Sequence, residues 1–222
     1  MSPFLFGLIS YLFYNTIIVG EKNMNYKEMK EAVKLLSKEW NLGKKEAKAE
    51  NDICAWIYLL SVLEESEEIY KIKDGKKLIG FTGYYNKYSK KHKLRKMFYK
   101  LIKQRLYKSK SIKDLNALLE YEKTYDYLPR KLKDYFDGEV SILIVDEAYR
   151  GKNMGAKLLT KVFNAAKNVG MKNLKIVTDE SCNYMFYEVM GCTKVYETVV
   201  ENKETDSNVI SSEKAFIYEK KL

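Results

Sequence analysis

The stretch that most constrains this chain lies between residues 139 and 169, where an apolar run, a glycine-bearing turn and a helical pattern follow one another without a gap. Val140, Ile142, Leu143, Ile144 and Val145 leave only Ser141 polar, which predicts an interior strand with both faces of its sheet covered. A short connection from Asp146 to Tyr149 leads into Arg150, Gly151, Lys152, Asn153, Met154, Gly155 and Ala156. Leu158, Leu159, Val162, Phe163, Ala166 and Val169 then recur at helical spacing, predicting a helix over 155–169. The glycines therefore sit at a helix N-terminus. The first N–H groups of a helix lack internal partners, the macrodipole adds partial positive charge, and glycine lets an anion come close. A pyrophosphate suits such a turn, and Arg150 and Lys152 would add charge to it. The spacing is neither that of a Walker loop nor that of a dinucleotide-binding fingerprint.

The flanking sequence supplies a sheet and its covering helices. Met29, Val33, Leu36 and Trp40 predict a helix over Tyr26–Trp40, which Gly43 ends, and a second helix is expected at 53–63. Residues 68–72, a Lys73-Asp74-Gly75-Lys76 turn and residues 77–85 predict a β-hairpin, because Asp-Gly supplies the positive φ of a tight turn. From 90 to 136 the strand rhythm breaks. Leu94, Met97, Phe98, Leu101 and Ile102 follow a helical period and are expected to form a core stripe with Tyr99 and Tyr107. Leu115, Leu118 and Leu119 begin a second helical pattern, closed near Pro129. A strand at 174–178, a helix at 183–190 and strands at 193–199 and 215–222 complete the chain. The order implies an α/β fold with a mixed, partly parallel central sheet flanked by helices.

Composition narrows the chemistry. The 222 residues are 46% hydrophobic, enough for one packed α/β domain, and no Pro/Gly/Ser-rich linker divides them. The single histidine, His92, stands among lysines, which excludes a His-based triad and a zinc site, so no metal is expected. Cys54, Cys182 and Cys192 are odd in number and lack paired metal-ligand spacing, which suits a reducing, cytoplasmic compartment. Residues 3–20 carry no charge and are barely long enough to span a bilayer. As an anchor they would leave the remainder cytoplasmic, because Lys22, Lys27 and Lys30 follow. A strand at 16–19, or an upstream extension with Met24 as the start, are the other readings of 1–23.

Beyond the turn, residues 179–192 read Asp-Glu-Ser-Cys-Asn-Tyr-Met-Phe-Tyr-Glu-Val-Met-Gly-Cys, with Tyr187, Glu188 and Gly191 closing a predicted helix before a strand. Together the two segments resemble the GNAT acetyltransferase superfamily. Its cofactor loop has Gln or Arg, two residues, Gly, one residue, and Gly or Ala, directly after an apolar strand. Arg150 and Gly155 match that pattern, and Asn153 replaces the first glycine, as a residue that tolerates left-handed backbone. The resemblance covers residues 139–200 and implies a GNAT-like domain over 24–222.

It also implies acetyl-CoA as co-substrate and direct acetyl transfer to a primary amine, here of a small molecule, with no covalent role for Cys182. Leu143, Ile144 and Val145 would pair with the pantetheine arm, amides from Gly151 to Ala156 would hold the pyrophosphate, and Asn183 would contact the cofactor. Tyr187 matches the tyrosine that protonates the departing thiolate. Glu139 matches the position of a general base that often acts through water; Asp179 and Glu180 are weaker alternatives.

Where the family has a short connection between the third and fourth strands, this chain inserts a helical segment at about 87–137. Residues 90–113 hold eleven Lys or Arg and no acid, so the remaining chain carries −1 of the total charge of +10. A solvated helix face, cofactor phosphates, an acidic acceptor, nucleic acid and an anionic membrane surface are all compatible with those cations. A second reading of the whole chain follows: a catalytically inactive acetyltransferase fold serving as a basic membrane- or nucleic-acid-binding module.

Overall fold

A computed structural model describes residues 23–40, 48–107, 132, 134–203 and 210–222. The strand expected at 16–19, the Gly43 helix end and the helical pattern from Leu115 to Pro129 lie outside these residues. The first helix, α1 (Tyr26–Trp40), begins with a reciprocal cap. Glu28 N–H donates to Asn25 Oδ1 at 3.0 Å and Asn25 N–H to Glu28 Oε2 at 2.9 Å. Burial opposes ionisation of Glu28, but hydrogen bonds from Lys71 and Lys73 outweigh it and hold the carboxyl below its usual range.

Helix α2 (Lys48–Glu65) precedes the hairpin β1 (Glu68–Asp74) and β2 (Lys77–Asn86), whose turn places Gly75 at φ 55°. Helix α3 (Lys93–Tyr107) follows. Then come β3 (Gly138–Val145), a 3-10 turn (Glu147–Tyr149), α4 (Met154–Asn168), β4 (Asn173–Asp179), α5 (Met185–Val189), β5 (Thr193–Lys203) and β6 (Ile210–Lys221). The six strands form one sheet in the order β1-β2-β3-β4-β6-β5. Only β3 and β4 run parallel; the other neighbours are antiparallel. This is the mixed, helix-covered sheet that the alternation of elements predicts.

Each face of the sheet has its own core. Met29, Leu36, Ile57 and Leu60 of α1 and α2 pack with Ile69, Phe81, Ile142 and Ile144. Leu159, Val162, Phe163 and Ala166 of α4 pack with Val140, Leu174, Ile176 and Tyr218. Val140 and Ile142 would share a face in a regular strand, yet they serve opposite cores. The register explains this, passing from Gly83↔Ile142 directly to Tyr84↔Val140, so Ser141 is an extra residue in β3. Its hydroxyl lies 3.0 Å from that of Ser66, and Gly83 leaves the room: a Cβ there would stand 2.7 Å from Ser66 Oγ. β3 is interior, as its composition predicts, but Leu143 and Val145 are only half-buried.

The expected core stripe of α3 needs correcting. Tyr99, Ile102 and Leu106 are buried with Phe98 and Tyr107 packed beside them, whereas Leu94, Met97 and Leu101 are 78%, 55% and 54% exposed. The cause is that α3 carries two apolar rows, each at i, i+3, i+7, set roughly 140° apart around the helix. Only one of them can lie on α2.

The turn after β3 is fixed by charge. Asp146 is buried, accepts Ala148 N–H at 3.2 Å, and pairs with Lys77 at 2.7 Å and Lys38 at 3.0 Å. Tyr149 donates to Asp74 at 2.6 Å. The turn is thus tied to the hairpin and to the end of α1. Hydrogen bonds from Lys77 and Lys38 hold the Asp146 carboxyl far below its usual range.

Two outcomes are expected. Gly138→Ala puts a Cβ 2.2 Å from the Tyr85 carbonyl oxygen, a backbone atom, and should cost about 1–3 kcal/mol in urea denaturation. A loss under about 0.5 kcal/mol would contradict the packing. Because the folded-state pKa of Asp146 is depressed, its contribution is full above the unfolded carboxyl pKa and disappears as pH falls through the lower folded value. The melting temperature of Asp146→Asn should therefore trail the parent at neutral pH, and the gap should narrow progressively as pH falls below about 4. A gap at pH 2 as wide as that at neutral pH would sink this account.

Candidate active site

The two rungs Gly138↔Leu174 and Glu139↔Lys175 are all that join β3 to β4. β3 stays paired to β2 as far as Val145, and β4 stays paired to β6 as far as Asp179. The parallel strands therefore part, and the edge of β3 from Val140 onward faces a gap. Such an edge offers N–H and C=O groups to an extended, amide-bearing ligand, which adds to it as a strand would. Leu143, Ile144 and Val145 lie along this edge. Ile144 is buried beneath α1 and α2, while Leu143 packs toward the α4 side.

The open edge leads to the turn. Gly151 has φ 74° and Asn153 φ 59°, so asparagine does occupy a left-handed position at the head of α4. The Asn153 side chain makes no cap, and the first bond into the helix runs from Lys157 N–H to Asn153 O at 3.0 Å. Among the described residues, the six amides from Gly151 to Ala156 have no backbone acceptor. Uncapped amides at the positive end of a 15-residue helix suit a phosphate-bearing group.

Side chains near the turn are arranged differently. The Arg150 guanidinium pairs with Glu39, whose side chain is 5% exposed, and its Nε–H donates to Val145 O at 3.3 Å. Lys152 donates to Ala148 O at 3.2 Å and lies 5.1 Å from the Tyr149 ring centre. Both cations hold the turn's shape as well as adding charge. Gly155 has a steric duty, since a Cβ there would meet the Phe186 ring at 3.3 Å.

Through that contact α4 abuts α5, the short helix bearing Tyr187. The Tyr187 ring lies 5.6 Å from both Phe186 and Tyr218. Burial raises the Tyr187 pKa well above the usual phenol range, and nearby Cys182 and Cys192 raise it further. The phenol is thus held as a proton donor at neutral pH. Burial also pushes Cys192 up to about 11, and burial together with the Glu188 bond pushes Tyr218 up to about 12. Glu188 accepts from Tyr218 at 3.0 Å, Gly191 takes φ 72°, and Lys220 donates to Met190 O at 2.9 Å. The Tyr-Glu-x-x-Gly pattern is therefore a helix end with each residue engaged.

Glu139 sits on the last rung before the strands part and pairs with Lys175 at 2.7 Å. Asn183 is exposed just ahead of α5 and receives Phe186 N–H on its carbonyl at 3.2 Å. Asp179 accepts the Ser181 hydroxyl at 2.6 Å. Sequence reasoning did not single out Asp146 or Glu39. Asp146 was detectable as a turn-opening Asp, but nothing local marks Glu39, whose partner lies 111 residues away.

Among the described residues, no helix is long and apolar enough to cross a membrane. No curated protein matches the sequence. Solved structures do share the fold. A Pyrococcus horikoshii OT3 protein matches at 16% identity over 90% of this chain and 94% of its own, with a TM-score of 0.55. An aminoglycoside 6'-N-acetyltransferase complexed with coenzyme A matches at 14% over 92% and 97%, with a TM-score of 0.51. A Bacillus anthracis str. Ames protein solved in complex with acetyl coenzyme A matches at 15% identity with a TM-score of 0.43; the match covers 71% of this chain and 63% of that one. The Acetyltransferase (GNAT) family profile matches residues 29–192. With its parted parallel strands and amide-lined turn inside that span, the chain belongs to the GNAT acetyltransferase family.

Proposed function

We propose that the protein is an acetyl-CoA-dependent N-acetyltransferase that acts on a primary amine of a small molecule. The observation that carries this reading is the open edge of β3 ending in six acceptor-free amides. That arrangement offers one continuous track for an extended arm and a phosphate group. The relative solved with coenzyme A is consistent with it. Arg150, Gly151, Lys152, Asn153, Met154, Gly155 and Ala156 would hold the pyrophosphate, and Leu143, Ile144 and Val145 the pantetheine arm. Asn183 would meet the cofactor beside α5.

Acetyl-CoA, when bound, supplies an acetyl group activated as a thioester. The chain's residues supply position and proton management. Tyr187 keeps its hydroxyl proton at neutral pH and is proposed as the donor to the leaving sulfur. Glu139 is proposed as the proton acceptor on the amine side. It pairs with Lys175 at 2.7 Å and would act through an ordered water, as the family resemblance implies.

Calorimetry with acetyl-CoA, followed by thiol release over a panel of amines, tests the reading; absence of binding at high micromolar cofactor would end it. Tyr187→Phe should keep cofactor affinity and lower kcat by about 10²–10⁴-fold. Unchanged turnover would remove Tyr187 from the mechanism. Because the phenol pKa is raised, no loss of kcat from its ionisation is expected below about pH 10. At the turn, Asn153→Gly should leave cofactor affinity within about twofold. Asn153→Val meets a left-handed penalty of about 1–2 kcal/mol and should weaken binding about 5–30-fold. Equal affinities for the two variants would contradict the role of φ 59° at this residue.

A further inference from the structure

The outward face of α3 combines two features that a solvated helix has no use for together. Leu94, Met97 and Leu101 form one exposed apolar row, with Leu94 at 78%. Around it stand Lys90, Lys91, Lys93, Lys100 and Arg105, all exposed and without an ion pair among the described residues. The inward cations of the same segment behave otherwise. Arg95 donates to Ser66 O at 2.8 Å, Lys96 lies 6.0 Å from the Tyr85 ring centre, and Lys103 pairs with Glu64 at 2.9 Å. The helix thus divides its positive charge into a bonded set facing the domain and an unpaired set facing out, with the apolar row on the outer side.

We propose that this face of α3 docks on an anionic lipid surface. The row would enter the boundary between headgroups and acyl chains while the lysines meet lipid phosphates, the arrangement of an interfacial amphipathic helix. Each unpaired Lys or Arg near such a surface contributes attraction that salt screens, and each buried apolar side chain contributes attraction that salt does not. Charge complementarity alone would serve nucleic acid equally well. A largely exposed leucine beside the lysines favours the bilayer, because phosphodiester backbones give it nothing to enter. The tyrosine-bearing site is untouched by this contact, since Tyr99, Ile102 and Leu106 keep the opposite side of α3 on α2.

The test uses the whole chain in vesicle flotation, with roughly equimolar phosphatidylcholine and phosphatidylglycerol against phosphatidylcholine alone. Binding should be at least about tenfold stronger to the anionic vesicles and should fall as salt rises from about 50 to about 500 mM. Two variants dissect it: Leu94→Gln with Met97→Gln and Leu101→Gln, and Lys90→Gln with Lys91→Gln, Lys93→Gln and Lys100→Gln. Each should weaken binding about tenfold or more without lowering the melting temperature. A duplex DNA that competes fully, with only the lysine set mattering, would assign the face to nucleic acid and overturn the proposal. Retained vesicle binding in both variants would move the contact elsewhere, such as residues 3–20, and overturn it too. A melting temperature lowered by several degrees in the apolar variant, with binding intact, would make the row a packing surface of the chain itself.

Discussion

The candidate site depends on the β3–β4 ladder ending after Glu139↔Lys175. Parallel neighbours ordinarily remain paired, since each unmet backbone group costs free energy. Here the extra residue Ser141 changes the phase of β3 just beyond the last rung, and the Ser66 hydroxyl meets Ser141 across Gly83. The strand is thereby held to its β2 neighbour and turned from β4. Its outer core residues Ile142 and Ile144 go to α1 and α2, while β4 follows β6 and the α4 core. Parting the strands thus leaves both hydrophobic layers intact.

Electrostatics at the turn follow the same economy. Glu39 engages Arg150, and Asp146 engages Lys38 and Lys77, so the side-chain charges nearest the turn are largely compensated by their own counterions. What is left to attract an anion is the Lys152 ammonium and the row of backbone amides, whose direction is set by φ at Gly151 and Asn153. A site built from main-chain dipoles is pre-oriented, and it varies less with rotamers than one built from lysines.

Much of this was legible in local sequence. The span of α1, the hairpin with its Asp-Gly turn, and the succession of β3, turn and α4 are each encoded within one element's periodicity and punctuation. The left-handed Asn153 follows from asparagine's tolerance of that region. Other features were not legible because they depend on long-range partners. Which of two equivalent apolar rows on α3 faces inward is decided by α2, not by α3. The bulge at Ser141 is a property of a register between two strands, and the Glu39–Arg150 pair joins residues with no sequence relation. Tyr187 and Glu139 stand out from pattern alone, whereas the pairing of Glu139 with Lys175, which joins two strands, does not.

The Phe186 ring occupies the volume that a side chain at position 155 would fill. The head of α4 and the helix carrying Tyr187 are consequently held close by the fit of one glycine to one ring. Residues 155 and 186 form a size-matched couple, so that enlarging one demands shrinking the other. Natural variation at the two positions should therefore be inherited jointly.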